Sequence, residues 1–308
     1  MMNVSNNERK ETRTNTNKDI KHKTHKKGLL RRKRINGYSK GTLIMEIIML
    51  AVCMVMILPF YYLIVNTFKN RMAMAKTPLA LPTGLFLENF EAAWGQIRFG
   101  YSFLNTAMIT LCTLVIIVIF GSLAAYSVAR RRGIFYKFIM FYFLLGFMVP
   151  IQTTMVPLYR LMLNLNLVNS IPGLIVLSTG SIGFAFFLYQ GFISTVPYEL
   201  EESALIDGAG PIRIFFQIVF PLLKPITMTL TIFHVMSTWN DFVLPFLFLH
   251  SRPNSTLMLE MQRFVGEFAN EWPVMMAAMV LIMAPLVVFY LFAQRFIIEG
   301  LTSGAVKG

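Results

Sequence analysis

Charged side chains are scarce in this chain of 308 residues, and long apolar runs are plentiful. Asp, Glu, Lys and Arg together make up 14% of the residues, whereas apolar residues make up 56%. A soluble domain carries roughly 25% charged residues, and about half that fraction cannot cover a soluble surface of this size. The composition therefore disfavours a soluble enzyme before any motif is considered.

Cysteine is almost absent, and so are the signatures of catalysis. Cys53 and Cys112 each fall inside an apolar run, which is typical of small core residues rather than of a disulfide or a metal site. The sequence has no Gly-x-x-x-x-Gly-Lys-Ser/Thr phosphate loop and no nucleophile–base pattern at a recognisable spacing. His234 stands alone. We therefore expect no catalytic residue, metal or cofactor on this chain.

The net charge of +13 is concentrated at the N-terminus. Residues 1–40 hold thirteen Lys or Arg and three acids, while the other residues hold fifteen and twelve. Because this segment is polar and cannot bury a core, we expect a disordered basic tail. Its role would be to set orientation and to contact anionic lipid. No folded nucleic-acid-binding domain accompanies the tail, so nucleic acid is not an expected partner.

Six apolar runs are long enough, or nearly so, to cross a bilayer as helices of about 20 residues. The run at 171–193 carries Gly173, Gly180 and Gly183, which we expect to allow close helix packing, and the run at 226–249 is the weakest because it contains polar residues. The sequence therefore predicts an all-α membrane protein with six transmembrane helices. The runs are Thr42–Val65, Phe103–Val128, Phe138–Leu158, Ile171–Ile193, Ile226–Leu249 and Trp272–Phe292.

Loop charges predict the orientation of these helices. With the tail inside, the cytoplasmic segments hold twenty-one Lys or Arg and the external segments hold seven, as the positive-inside rule requires. The sequence Arg130-Arg131-Arg132 is the clearest local marker. We therefore expect both termini in the cytoplasm. The cytoplasmic segments are then 1–41, 129–137, 194–225 and 293–308.

The segment at residues 194–225, called here the 194–225 loop, has the pattern of two short helices. Ser194 or Thr195 can cap the first helix, Pro197 suits its first turn, and Gly208 can end it in a left-handed conformation. Three acids, Glu199, Glu201 and Glu202, lie early in that helix, where its dipole favours negative charge.

A second helical stretch, dense in apolar side chains, is expected from Pro211 to Pro221. Two interpretations stay open from the residues alone. The loop can pack under the bundle or in the membrane interface, or it can dock a soluble partner as a helix in a groove.

The stretch from Glu202 to Ala209, followed by Phe216, Ile218, Pro221 and Pro225, resembles the EAA loop of bacterial ABC importer permeases. Ser203 stands where the family has its first Ala, and Phe220 stands where it has Leu. In that family the loop is a coupling helix that seats in a cleft of the ATP-hydrolysing subunit. The resemblance assigns ATPase coupling to Glu202, Ser203, Ala204, Asp207, Gly208, Ala209, Phe216, Ile218 and Pro221.

Three further stretches resemble the carbohydrate-importer branch of that family, the relatives of the maltose permease subunits. They are residues 150–159, the sequence Trp239-Asn240-Asp241-Phe242, and the C-terminal ending at residues 300–308. The resemblance covers residues 40–308. It implies a type I (MetI-like) permease domain at 41–308 in the bacterial cell membrane.

The same resemblance implies the partners of the chain. A sugar would arrive from an extracellular solute-binding protein, and a second permease subunit, expected to be a different chain, would complete the pathway. Two separate ATPase subunits would bind ATP and Mg, so this chain would hold no cofactor of its own.

Five polar residues are candidates for the substrate path: Gln152, Thr153, Trp239, Asn240 and Asp241. An aromatic face with amide and carboxylate groups suits sugars, but Trp239 and its neighbours equally suit helix packing. Gln152 and Thr153 equally suit a backbone kinked between two prolines. Two other functions stay open: an ABC permease for a non-sugar solute, and an ion-coupled secondary transporter that would use Asp241 or His234.

Overall fold

The computed structural model describes residues 40–267 and 270–305, and every regular element within those ranges is helical. The expected disordered tail lies outside the described residues, apart from Lys40. The α-helices are α1 Lys40–Thr67, α2 Arg71–Lys76, α3 Glu88–Gln96, α4 Phe99–Ala129, α5 Ile134–Met148, α6 Ile151–Asn164, α7 Ile171–Ser178, α8 Ile182–Ile193, α9 Glu199–Ile206, α10 Pro211–Ile214, α11 Phe220–Leu222, α12 Lys224–Trp239, α13 Val243–Phe248, α14 Leu257–Glu267 and α15 Trp272–Ala305.

The chain divides into two units, at residues 1–61 and 62–308. The described part of the first unit is most of α1, an apolar helix whose side chains from Gly41 to Tyr61 are exposed. Exposed apolar side chains along a helix of this length are what a hydrocarbon environment accommodates. The second unit contains the last turn of α1 and all the later helices.

Four helical segments are long and apolar enough to cross a membrane, and two bent helix pairs raise that number to as many as six. The four segments lie at residues 41–67, 99–129, 171–193 and 272–295, close to four of the runs expected from the sequence. The third runs through α7, a short 3₁₀ turn and α8. The other two expected spans are broken helices.

The expected single span Phe138–Leu158 is wrong as a continuous helix. Helix α5 ends at Met148, α6 begins at Ile151, and their axes differ by 98°. Pro150 explains the break, because a proline disfavours helical geometry in the residue before it. Val149 accordingly takes the extended values φ −75° and ψ 118°.

The expected span Ile226–Leu249 is also interrupted. Helix α12 ends at Trp239, and the chain re-enters a helix only at Val243. The side chain of Asp241 accounts for the second start, since its Oδ1 accepts the backbone N–H of Val243 at 3.0 Å and that of Leu244 at 3.3 Å. At its other end, α12 meets the helical segment Pro211–Leu222 at an angle of 72°.

The centre of the second unit is the crossing of α4 and α8. Gly121 makes the close approach possible, because a Cβ placed there would lie only 3.0 Å from the Cβ of Ala185. Beyond that contact, an apolar cluster joins Ile117 and Ala125 of α4 to Tyr189 and Ile193 of α8. This cluster continues into the 194–225 loop, so the loop and the two helices share one core.

The opposite end of the second unit is held by a buried carboxylate. Glu260 on α14 is 1% exposed, and it accepts bonds from Arg252 at 3.2 Å and Arg263 at 3.0 Å. Arg252 also donates to the carbonyl of Gln96 at 2.9 Å. These bonds tie α14 and the preceding 3₁₀ turn to the end of α3.

Two small-residue expectations need correction. Cys53 and Cys112 are both exposed rather than buried in a core. Gly183 lies against α5, with a hypothetical Cβ 3.5 Å from the Phe143 carbonyl, but Gly180 has no neighbour within 4 Å of such a Cβ. The third glycine of that run, Gly173, makes the tightest approach, to the carbonyl of Leu167.

We predict that Gly173→Ala destabilises the protein, because its Cβ would meet the Leu167 carbonyl oxygen at 1.9 Å. The cost of such overpacking is about 1–3 kcal/mol. It will appear as a lower midpoint of thermal aggregation in detergent. The matched control is Gly180→Ala, which adds the same methyl group in open space, and equal midpoints for the two variants would contradict the prediction.

Candidate functional site

The first helix of the 194–225 loop begins without a side-chain cap. The hydroxyls of Ser194 and Thr195 donate to the carbonyls of Gly191 and Phe192 at 2.6 and 2.8 Å, so they close the end of α8. Helix α9 begins later, at Glu199, and has no side-chain cap. The expectation that Ser194 or Thr195 caps this helix is therefore wrong.

Gly208 ends α9 as the sequence predicts. Its φ is +81°, a left-handed conformation that glycine adopts without steric cost. The N–H of Ala209 donates to the carbonyl of Ala204 at 2.9 Å, and the N–H of Gly208 donates to that of Leu205 at 3.0 Å. These two bonds form a Schellman motif, which fixes the direction of the chain after the helix.

The second helical stretch also forms as expected, from Pro211 to Leu222. Its middle section, Phe215–Val219, is a π-helical segment between α10 and α11. Short π segments are rare and occur frequently at functional sites. Here the wider turn places Phe215 in the core beside Tyr126, with ring centroids 5.2 Å apart.

The loop has a buried inner face. Ala204, Ile214, Phe215 and Val219 are all buried, and they belong to the same apolar cluster as Ala125 and Ile193. This packing satisfies the first interpretation of the loop, that it covers the end of the bundle.

The loop also has an exposed apolar outer face. Ile206 is 86% exposed and Ile212 is 77% exposed. Phe216 is exposed as well, and together with Ile212 it lines a shallow depression that includes Arg213. We call the exposed side chains Leu205, Ile206, Ile212 and Phe216 the outer apolar face. A surface of this kind marks an interaction site in many proteins.

Glu201 joins the loop to α4 through an ion pair. The acid is 3% exposed; its Oε1 lies 2.7 Å from Nε of Arg130, and its Oε2 accepts a bond from the hydroxyl of Tyr126 at 2.8 Å. Arg130 donates a further bond to the carbonyl of Val196 at 2.9 Å, and its guanidinium lies over the ring of Tyr198, 5.6 Å from the centroid.

Sequence reasoning missed this contact. It assigned Glu201 only to the helix dipole and Arg130 only to membrane orientation. The sequence signals for it are the position of Arg130 directly after an apolar span and the three acids, Glu199, Glu201 and Glu202, in one short helix.

The structure divides the residues assigned to ATPase coupling between the two faces. Ala204 is buried, and Ala209 and Ile218 are partly buried. The remaining assigned residues are exposed. They are Glu202, Ser203, Asp207, Gly208, Phe216 and Pro221.

The candidate path residues come from two segments of the chain, the first turn of α6 and the end of α12 with the residues after it. Gln152 and Thr153 are exposed in the first turn of α6, and the Thr153 hydroxyl donates to the carbonyl of Pro150 at 2.7 Å. Asn240 is exposed, and its amide donates to the carbonyl of Met236 at 2.8 Å. Asp241 is partly buried and, as described above, starts α13.

Trp239 has packing contacts on several sides. It is buried, its Nε1 donates to the carbonyl of Ile282 at 3.2 Å, and its ring lies edge-on to Phe103 at 5.8 Å. It thereby joins α12 to α15 and α4. These contacts favour the packing interpretation of Trp239 over a place on the path.

Among the described residues, no group of three or more His, Cys, Asp or Glu side chains is arranged to hold a metal ion. His234 is buried, and its Nε2 lies 3.4 Å from the hydroxyl oxygen of Thr238.

A family model describes this arrangement of helices and loop. Residues 117–302 match the model of the binding-protein-dependent transport system inner membrane component. The match includes the whole 194–225 loop, α4 from its middle, and both broken spans. The chain belongs to this family. It is a multi-pass membrane permease.

Similar permeases are known from bacteria. The melibiose/raffinose/stachyose import permease protein MelC of Bacillus subtilis is 41% identical over 82% of this chain and 91% of its own length. The probable starch degradation products transport system permease protein AmyC of Thermoanaerobacterium thermosulfurigenes is 34% identical over 81% and 91%. The multiple sugar-binding transport system permease protein MsmG of Streptococcus mutans is 33% identical over 82% and 92%.

A solved structure shares the fold. A chain of a bacterial ABC transporter involved in the import of the acidic polysaccharide alginate superimposes on this permease with a TM-score of 0.73. The superposition covers 85% of this chain and 99% of that chain, at 19% identity. The likeness establishes the permease fold.

We predict that Glu201→Ala destabilises the permease strongly, because it leaves the Nε of Arg130 and the hydroxyl of Tyr126 without their acceptor. Removing one member of a buried ion pair costs about 3–5 kcal/mol. The thermal midpoint in detergent will fall, and chymotrypsin will cleave the loop at Tyr198 faster. The neighbouring Glu202→Ala, which removes an exposed acid, is the control, and equal cleavage rates for the two variants would argue against the ion pair.

Proposed function

We propose that this permease is a membrane-spanning subunit of an ATP-binding-cassette importer for a sugar or oligosaccharide. The observation that carries the proposal is the 41% identity with a melibiose/raffinose/stachyose import permease over nearly its whole length. The names of the other two relatives point to the same class of solute. A permease for a non-sugar solute has no comparable support.

In this proposal the chain crosses the bacterial cell membrane six times, with both termini in the cytoplasm. Six crossings result if each of the two bent pairs is one span beside the four continuous candidate spans. The distribution of Lys and Arg supports the orientation. The 194–225 loop then lies on the cytoplasmic side, where ATPase subunits are available.

The 194–225 loop is proposed as the coupling element. Its outer apolar face offers contact area to an ATPase subunit, in the manner of a helix that lies in a groove. The exposed Glu202 and Asp207 add polar contacts at its rim, and Gly208 permits close approach. Ala204, although assigned to coupling with the others, acts here from the inner face.

Movement of the loop reaches the membrane helices through two connections. The first is the ion pair between Glu201 and Arg130 at the end of α4. The second is the apolar cluster that joins Phe215 and Val219 to α8. Closure of the ATPase subunits would therefore displace the loop, α4 and α8 together, and so alternate the access of the central path.

The other components of the proposed importer lie on separate chains. An extracellular binding protein delivers the solute, and a solved alginate ABC transporter is known in complex with a pentasaccharide-bound periplasmic protein. A second permease subunit completes the path. Two ATPase subunits bind ATP and Mg and perform the hydrolysis.

The five path candidates have different roles in this proposal. Gln152, Thr153 and Asn240 are exposed and present amide or hydroxyl groups to which sugar hydroxyls can bond. Asp241 combines partial exposure with its bonds to the backbone of α13. Trp239 is proposed to hold α12 against α15 and so to fix the position of Asn240.

We predict that Ile206→Glu weakens binding of the ATPase subunit about tenfold or more, since truncation or charge at a central apolar contact has effects of this size. The measurement is co-purification of the ATPase with the permease from detergent extracts. Thr195→Glu adds the same charge outside the outer apolar face and should leave co-purification unchanged. Undiminished binding by the Ile206 variant would remove the loop from the ATPase interface.

We predict uptake of labelled raffinose or another oligosaccharide by cells that express the complete importer. Uptake will vanish when the ATPase subunit carries an inactivating substitution, and it will survive a protonophore while cellular ATP is maintained. Uptake that persists without an active ATPase and collapses with the protonophore would instead identify an ion-coupled transporter. Failure with every sugar tested would direct the search to non-sugar solutes.

A further inference from the structure

A basic cleft lies beside the coupling loop, where α4 ends and α5 begins. It has a volume of about 420 Å³, and its lining includes Arg131, Arg132 and Lys137 together with Tyr136 and Gln190. No acidic side chain is part of this lining. The cleft therefore concentrates positive charge at a single place on the surface.

The buried acid of the loop, Glu201, is not part of the cleft lining. Glu201 forms an ion pair with Arg130 at 2.7 Å and accepts a hydrogen bond from the hydroxyl of Tyr126. The Arg130 side chain is therefore directed to the loop. Arg131 instead donates to the hydroxyl of Tyr136 at 2.8 Å and lies over the same ring, 5.7 Å from its centroid. This neutral partner holds the Arg131 guanidinium in place without cancelling its charge.

Apolar side chains border the same cleft. Ile134, which is 85% exposed, and Met140 are part of the lining. Phe135 follows Ile134 at the start of α5 and is 65% exposed. The apolar run of α4 ends at Ala129 and that of α5 begins at Ile134. The basic residues thus lie at the boundary between the hydrocarbon-compatible part of the chain and its polar end.

We propose that this cleft binds the headgroup of an anionic glycerophospholipid. The phosphodiester would be held by the charges of Arg131, Arg132 and Lys137, and Gln190 would bond to headgroup hydroxyls. The acyl chains would lie along Ile134, Phe135 and the following apolar surface of α5. Basic pockets between membrane helices suit such headgroups, and each basic side chain near an anionic surface adds attraction.

Charge complementarity together with the apolar border selects a lipid as the occupant. A free phosphate ion would use the cations but would leave Ile134 and Phe135 in water. An acidic protein surface would have to cover the same side chains from the aqueous side. Only a lipid places its charge and its apolar part in the same order as the cleft does.

The test uses the complete importer in nanodiscs of phosphatidylcholine that contain a minor fraction of photoactivatable phosphatidylglycerol. After illumination, mass spectrometry locates the crosslinked peptides. We expect crosslinks within residues 129–140 in the unmodified permease. In the double variant Arg132→Gln/Lys137→Gln, the crosslinked fraction should fall by about fivefold or more for each charge removed.

The charge-matched control is Arg71→Gln/Lys76→Gln, which removes two exposed cations from α2, distant in sequence. It should retain the crosslinks at 129–140. The conservative pair Arg132→Lys/Lys137→Arg should retain them too, which separates loss of charge from loss of folding.

Three results would overturn the proposal. One is equal crosslinking in the charge-removing variant and the unmodified protein. Another is the absence of crosslinks at 129–140 in the assembled importer, which would mean that a protein partner covers the cleft. The third is full competition by inorganic phosphate, which would identify a phosphate-ion site. None of these results bears on whether the importer carries sugar, because the uptake measurement is separate.

Discussion

The ion pair between Glu201 and Arg130 is the contact on which the geometry of the 194–225 loop depends. A carboxylate that is 3% exposed is costly unless its oxygens are satisfied, and here one oxygen binds Arg130 and the other binds Tyr126. Both donors come from the last turn of α4 or directly after it. Helix α9 therefore keeps one position relative to α4, and the rest of the loop continues from that position.

The two interpretations of the loop are compatible because the two faces of its helices serve different purposes. Ala204, Phe215 and Val219 bury the inner face, and Ile206 and Ile212 leave the outer face apolar and exposed. A loop that only covered the bundle would have no physical reason to keep the outer residues apolar. A loop that only docked a partner, without the buried inner face, would bend when the partner moved. It would then not transmit that movement to α4 and α8.

Local signals were predictable from the sequence, and long-range partners were not. Gly208 ends α9 because its left-handed conformation is a property of one residue and its neighbours, and the apolar runs identify most spans for the same reason. The pairing of Glu201 with Arg130 joins residues 71 positions apart, and no periodicity encodes it. The bend at Pro150 was partly predictable. The proline is visible in the sequence, but the 98° change of direction between α5 and α6 is not a local property of that residue.

Three adjacent arginines, which a charge count treats as equal, have different contacts in the structure. As a group, Arg130, Arg131 and Arg132 predict the cytoplasmic side of the membrane. Individually, Arg130 forms an ion pair with the buried Glu201, and Arg131 donates a hydrogen bond to the neutral Tyr136. Because only the first of these contacts cancels charge, the remaining positive charge faces the cleft beside α5. The same contact that ties the 194–225 loop to α4 therefore leaves the neighbouring surface with the positive charge that the proposed anionic headgroup would need.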